Sequence, residues 1–187
     1  MEIKEYIQKS IEAKQKFLDN AEIIQSCAEM IIEAYQKNKK VLIMGNGGSA
    51  SDANHIAAEF VSKFMKERQA LGAISLSSNQ SVITAISNDY DFKNIFSRQI
   101  EALGEENDIL IGISTSGKSK NIIEGFKKAK EKNLKTIFLS GVNADFVADI
   151  NVKVQSDITS IIQETHIMIA HIICAIVEKR LDNAKNS

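Results

Sequence analysis

The chain contains no proline and no low-complexity stretch. Nothing in it reads as a rigid spacer or a linker, and its 187 residues are expected to form one domain around one core. An excess of charge of either sign is missing as well. With 23 basic and 24 acidic residues the formal net charge is −1, so no general field draws nucleic acid or an anionic membrane, and any anion site must be built locally. Long apolar runs are also lacking. The most apolar segment, residues 167–177, is interrupted by His171 and falls short of the roughly 20 residues that span a bilayer. Residues 1–8 alternate charge and apolarity without the continuous apolar stretch of a secretory signal, so a cytoplasmic location with no membrane partner is expected. Cysteine is scarce. Cys27 and Cys174 have no metal-type spacing and sit in apolar helical stretches, which suits reduced, buried thiols that take no part in catalysis.

What is present suits a folded globular chain: 44% hydrophobic and 25% charged residues leave enough apolar surface to build a core. In residues 3–35 apolar side chains recur at helical spacing (Ile3, Ile7, Ile11; then Phe17, Ala21, Ile24, Ile31, Tyr35), which predicts two helices, each with a stripe that must cover a core or a partner chain. Beyond them, short runs rich in branched residues at 40–44, 72–76, 108–113, 135–139 and 151–154 predict five strands. Segments with helical periodicity lie between and after them, at 49–65, 91–103, 118–132 and 160–180. Near-continuous apolar strands alternating with helices predict an open, doubly wound α/β fold, a parallel sheet covered on both faces. Ligands of such sheets sit outside the carboxyl ends of the strands.

Two loops fall there. The first, GNGGSA at 45–50, lets backbone N–H groups approach an anion at a helix start. It matches the dinucleotide fingerprint as text, but the second strand ends in Leu76-Ser77-Ser78 without the acidic residue that would hold a ribose. The second, GISTSGKS at 112–119, matches the P-loop pattern, yet no candidate strand ends in the aspartate that helps to hold magnesium. Its hydroxyls, Ser114, Thr115, Ser116 and Ser119, suit a sugar phosphate better than a metal-bound triphosphate.

Ionisable residues gather near these loops. His55 and Glu59 are four apart and share one helix face, while Gln163, Glu164 and His166 read as a polar cluster opening the last helix, with His171 inside its apolar run. A carboxylate and an imidazole can move a proton between adjacent carbons, so Glu59 and His171 are candidate acid–base partners. His55, Glu59, Gln163 and His171 could together furnish four zinc ligands.

Three stretches, GNGGSASDANHIAAEF at 45–60, SNDYDFKNIFSRQIEALG at 87–104 and IGISTSGKSKNI at 111–122, resemble the phosphoheptose isomerase (sedoheptulose 7-phosphate isomerase) family of sugar isomerase (SIS) domain proteins, and the resemblance spans roughly residues 30–180. It implies a cytoplasmic homotetramer of single SIS domains, with residues 1–36 as oligomerisation helices and 37–180 as the α/β core. It implies conversion of sedoheptulose 7-phosphate to D-glycero-D-manno-heptose 7-phosphate for bacterial lipopolysaccharide or capsule heptose, with one zinc per subunit. The family's catalytic pair falls on Glu59 and His171 and its zinc ligands on His55, Glu59, Gln163 and His171. Its substrate contacts fall on Asn46, Gly47, Gly48, Ser49, Glu59, Asn88, Asp89, Ser114, Thr115, Ser116, Ser119 and Gln163. Two family arginines are replaced, by Lys63 and Ile161, a change expected to bear on sugar preference more than on reaction type. Two non-catalytic readings compete, a SIS protein that binds a replication initiator and a sugar-phosphate sensor; neither needs a carboxylate and a histidine at positions 59 and 171.

One further expectation concerns assembly. Gln163 and His171 are eight apart, about 12 Å along a continuous helix. Either the last helix begins after Gln163, or ligands from different chains converge on one site, so that Glu59 and His171 act across subunits.

Overall fold

The computed structural model describes residues 2–183. Helices α1 (Ile3–Gln15) and α2 (Ala21–Gln36) lead into strand β1 (Val41–Gly45), α3 (Gly48–Val61), β2 (Ala73–Ser75), α4 (Gln80–Asp89), α5 (Ser97–Leu103), β3 (Ile109–Ser114), α6 (Lys120–Glu131), β4 (Lys135–Gly141), β5 (Ile150–Val154) and α7 (Thr159–Asn183). The five strands form one parallel sheet in the order β2-β1-β3-β4-β5, as the strand pattern predicts.

Alternate residues of a strand point to opposite faces, and here both faces are covered. Val41 and Ile43 of β1 join Ile109, Ile111, Ile137 and Leu139 in a core closed by α2, α3 and α7. Leu42, Met44, Leu110 and Phe138 pack on the other face against α5 and α6. Strands buried on two sides must be apolar at every position, which is why β1 and β3 are buried throughout. Phe60 of α3 is 1% exposed, and burying such a side chain stabilises the fold by roughly 1.5–3 kcal/mol. With no proline to stop helices, asparagine does so: Asn38 after α2 and Asn133 after α6 adopt left-handed backbone, with φ of 55° and 59°.

Four expectations are corrected. Helix α4 was not foreseen: it buries only Ile86, so its apolar signal is weak, and Asn79 marks its start by accepting a hydrogen bond from the Val82 N–H at 3.1 Å. The helix predicted over 91–103 is a 3₁₀ turn at Phe92–Asn94 followed by α5, because Asp91 accepts the Lys93 N–H at 2.7 Å and starts a separate turn. The helix predicted over 49–65 ends at Val61, where the Arg68 side chain from beyond the helix takes the Glu59 and Phe60 carbonyls. Helix α7 is longer than its apolar run: its segment Thr159–Asp182 is long and apolar enough, by length and composition, to cross a membrane, yet half of it is buried inside the protein. Its apolar residues Ile169, Ala170, Ile173 and Val177 belong to the core closed by α2 and α3.

Candidate functional site at the carboxyl edge of the sheet

The chain runs from β1 outward to β2, then returns to place β3 on the other side of β1. The loops after β1 and β3 therefore diverge from neighbouring strands, which makes a crevice at the carboxyl edge. Both glycine-bearing loops lie here. In the first, Gly47 has φ of 56°, a backbone that an L side chain resists. A Cβ on Gly48 would come within 2.5 Å of Gln163 Nε2, so the absence of a side chain lets the amide of α7 lie against the start of α3. Ser49 is buried in the first turn. Asn46 and Asn121 exchange two amide hydrogen bonds of 2.9 and 2.8 Å, tying the first loop to the first turn of α6.

The second loop folds around its hydroxyls. The Gly117 N–H donates to Ser114 Oγ at 3.2 Å, and Ser114 Oγ lies 3.3 Å from Ser119 Oγ. Ser119 caps α6 without bonding its first turn through the side chain, which leaves the hydroxyl available to an anion beside the helix N-terminus. Thr115 is half-buried and Ser116 exposed on the same turn.

Farther along α3 and α7 the ionisable residues meet. His55 Nε2 is 3.0 Å from Glu59 Oε1, and His171 Nε2 is 3.5 Å from His55 Nε2. Ligand atoms of all three lie within 4.8 Å of one another. The His55 and His171 rings stand edge-on with centroids 5.0 Å apart, and Phe64 covers His171 from another side at 5.5 Å. Asp52, one turn before His55, has its carboxyl pushed up by burial against the pull of that histidine. Burial pushes both cysteine thiols up to about 12, and Cys174 feels the Glu59 charge as well. Both thiols are free, buried and poorly nucleophilic, as expected.

The three residues are chemically suited to a divalent ion. Ligands held at about 2 Å by a tetrahedral zinc lie roughly 3.3 Å apart, and two histidines with one carboxylate leave a fourth position open. Two of the separations here are 3.0 and 3.5 Å, and all three ligand atoms lie within 4.8 Å of one another.

Other expectations fare differently. Gln163, Glu164 and His166 form no cluster: a rotation of about 100° turns Glu164 away from Gln163, and His166, though only about 60° round from Gln163, is packed into the core. Gln163 faces the first loop, Glu164 bonds Ser10 and Lys14 of α1, and His166 is wholly buried. Helix α7 contains both Gln163 and His171, so it does not begin after Gln163. One chain already brings Glu59 and His171 together. Asn88 and Asp89 end α4, exposed and hydrogen-bonded to each other at 2.8 Å. Lys63 pairs with Glu67 at the surface, and Ile161 is a core residue with no exposure. Sequence reasoning missed Asn121, Arg68 and Glu178, whose parts depend on contacts across 75 and 110 residues of chain.

The fold and this constellation define an α/β protein with two anion-type loops and a cluster of two histidines and a glutamate at the carboxyl edge of its sheet. Residues 5–141 match the SIS domain family. The chain is 55% identical to the phosphoheptose isomerase of Clostridium acetobutylicum, over 98% of this chain and 96% of that protein. Its structure is similar to those of phosphoheptose isomerases from Francisella tularensis (TM-score 0.91, 35% identity, 95% and 96% of the two chains) and Neisseria gonorrhoeae (TM-score 0.88, 38% identity, 95% and 97%). The chain belongs to the phosphoheptose isomerase family of SIS domain proteins.

Proposed function

We propose that this protein is an aldose–ketose isomerase that converts sedoheptulose 7-phosphate to D-glycero-D-manno-heptose 7-phosphate. The observation that carries the reading is the meeting of His55, Glu59 and His171 within one chain, beside a crevice lined by two anion-type loops. The Ser114–Ser119 loop and the α6 N-terminus hold the phosphate, while Asn46, Gly47, Gly48 and Gln163 border the sugar. His55 lies seven residues into α3, about 10 Å along its axis, so the reacting end of a long sugar phosphate extends away from the loops. Glu59 takes the proton from C1 of the ketose and delivers it to C2, and His171 moves a proton between the two oxygens, which balances the exchange of carbonyl and hydroxyl. His55, Glu59 and His171 would hold a zinc ion, which as a Lewis acid would polarise the carbonyl, whereas Gln163 lies eight residues before His171 on α7, against Gly48, and borders the sugar instead. A non-catalytic binder would have no use for this trio.

The product is a precursor of surface heptose in lipopolysaccharide or capsule, and the enzyme works in the cytoplasm. It assembles as a homotetramer through residues 1–36. Exposed Ile3, Ile7 and Ile11 support assembly, because α1 docks on α7 through Tyr6, Ser10 and Lys14 and leaves its apolar stripe uncovered. Asn88 and Asp89 are assigned to substrate by family position alone.

Incubation with sedoheptulose 7-phosphate, followed by detection of the aldose, tests the reading. Glu59→Gln fills the same volume but takes no proton, and turnover is expected to fall roughly 10²- to 10⁴-fold with an unchanged circular dichroism spectrum. A Glu59→Gln protein as active as wild type would remove Glu59 as the base.

A further inference from the structure

Behind the trio lies a buried ion pair to which no role has been given. Helix α3 ends two residues after Glu59, and the last four carbonyls of a helix have no partner within it. Here the Arg68 guanidinium supplies partners: Nη2 donates to the Glu59 carbonyl at 2.7 Å and Nη1 to the Phe60 carbonyl at 2.9 Å. Nη1 also reaches the Gln69 carbonyl at 2.9 Å, which curls the chain around the guanidinium. The third nitrogen, Nε, donates to Glu178 Oε2 at 3.2 Å. Glu178 belongs to α7, two turns beyond His171, and accepts the backbone N–H groups of Phe64, Met65 and Lys66 at 2.9, 2.8 and 2.9 Å. The two side chains are 7% and 4% exposed. Burial pushes the Glu178 carboxyl up, but the three N–H groups and Arg68 outweigh it and hold it below its usual value. Phe64, whose N–H sits on Glu178, also lays its ring against His171.

We propose that Arg68 and Glu178 are positioning residues that set Glu59 and His171 at their working separation by clamping the end of α3 to α7. This rests on reading those two residues as the acid–base pair. Arg68 holds the backbone of Glu59 itself, and Glu178 holds the loop that packs on His171. Capping alone accounts for a donor at these carbonyls; what ties the pair to the site is that the same guanidinium reaches Glu178 of α7, which holds the segment that packs on His171. The substrate contacts of α3 and α7, Gly48 and Gln163, lie at the opposite ends of these helices from the clamp, and the hydroxyl loop follows β3, so the clamp acts on the chemical step more than on substrate binding. A lysine at 68 keeps the charge but loses the planar fork that serves three carbonyls and a carboxylate together.

The test uses Arg68→Lys and Glu178→Gln, the second keeping volume and one acceptor oxygen should the first fail to fold. Each is assayed well below its melting temperature. Misplacement by about 1 Å costs up to roughly 100-fold in rate, so kcat is expected to fall about 10- to 100-fold with KM within about twofold. A second readout needs neither substrate nor metal. The chain has three histidines, and the Cε1–H signals of His55 and His171, whose rings shift one another, are expected to move in the variants while that of buried His166 stays. Unmoved His55 and His171 signals overturn the proposal, as does an unchanged kcat in a folded variant of an active enzyme. If the wild type does not isomerise the sugar phosphate, the functional reading fails, and the histidine signals alone decide the clamp.

Discussion

His166 and His171 are five residues apart on α7 and occupy opposite surroundings. His171 is half-buried and faces His55, whereas His166 is fully buried with no hydrogen-bond partner for either ring nitrogen among the described residues. Burial drives the His166 imidazole down to about 4; the Ser140 backbone, near but outside hydrogen-bonding geometry, pulls slightly the other way. A histidine lowered in the folded state binds its proton in the unfolded chain first. Its contribution is therefore complete above the unfolded pKa near 6.5 and is lost as pH falls toward 4. The expected loss over that window is on the order of 3 kcal/mol. Denaturant unfolding of wild type and His166→Leu at several pH values checks this: the wild-type curve should steepen between 6.5 and 4 relative to the variant, and parallel curves would refute it. From spacing alone the two histidines read the wrong way round, since His171 lies in the apolar run and His166 beside Gln163 and Glu164. Family resemblance identifies His171 because motif order is visible in sequence. The direction each side chain takes is not, because it depends on which neighbours a 25-residue helix meets.

At the level of elements, α7 does most of the joining. Its first turns hold Gln163 against α3 and Glu164 against α1, its middle supplies His171, and its end supplies Glu178. Gly48 tests the first of these contacts. Its helical position tolerates alanine, which is more favourable than glycine inside a helix by roughly 0.5–1 kcal/mol. The new Cβ would meet the flexible end of Gln163 at 2.5 Å, so the amide must swing away while the backbone stays. Gly48→Ala is thus expected to melt within a few degrees of wild type and to lose most of its kcat/KM; full activity would show that Gln163 need not lie there. The same contrast governs what sequence could show. Strands β1, β3 and β4 are legible because two covered faces demand unbroken apolar runs. Helix α4 is not, because it lies on the surface with a single buried side chain. The end of α3 was also hidden: periodicity continues through Phe64, and what stops the helix is an arginine seven residues beyond Val61 together with a glutamate on another helix.

For the whole molecule the question is which parts of the site a single chain completes. The apolar stripe of α1 faces outward with Ile3 81% exposed, and the adjoining groove carries Phe17, Leu18, Met168, Ile172 and Ile176, which together support assembly of copies. Assembly by itself would allow Glu59 of one copy to work with His171 of another. The geometry favours the opposite. His55 and Glu59 are one turn apart on α3, α3 packs on α7 through the shared core, and the Arg68–Glu178 pair locks the two helices within the chain. Ligand atoms of the trio already lie within 4.8 Å of one another in one chain, so the pair needs no partner's residue to meet. Co-expression of a Glu59→Gln chain with a His171→Ala chain therefore provides a decisive mixture. Every site in a hybrid oligomer carries one defect in its own trio, so turnover is expected to equal the small sum of the two separate variants. Tagging each chain differently and purifying through both tags establishes that hybrids have formed. Recovery above that sum would mean that the pair acts across subunits, and both the single-chain site and the clamp that holds it would have to be abandoned.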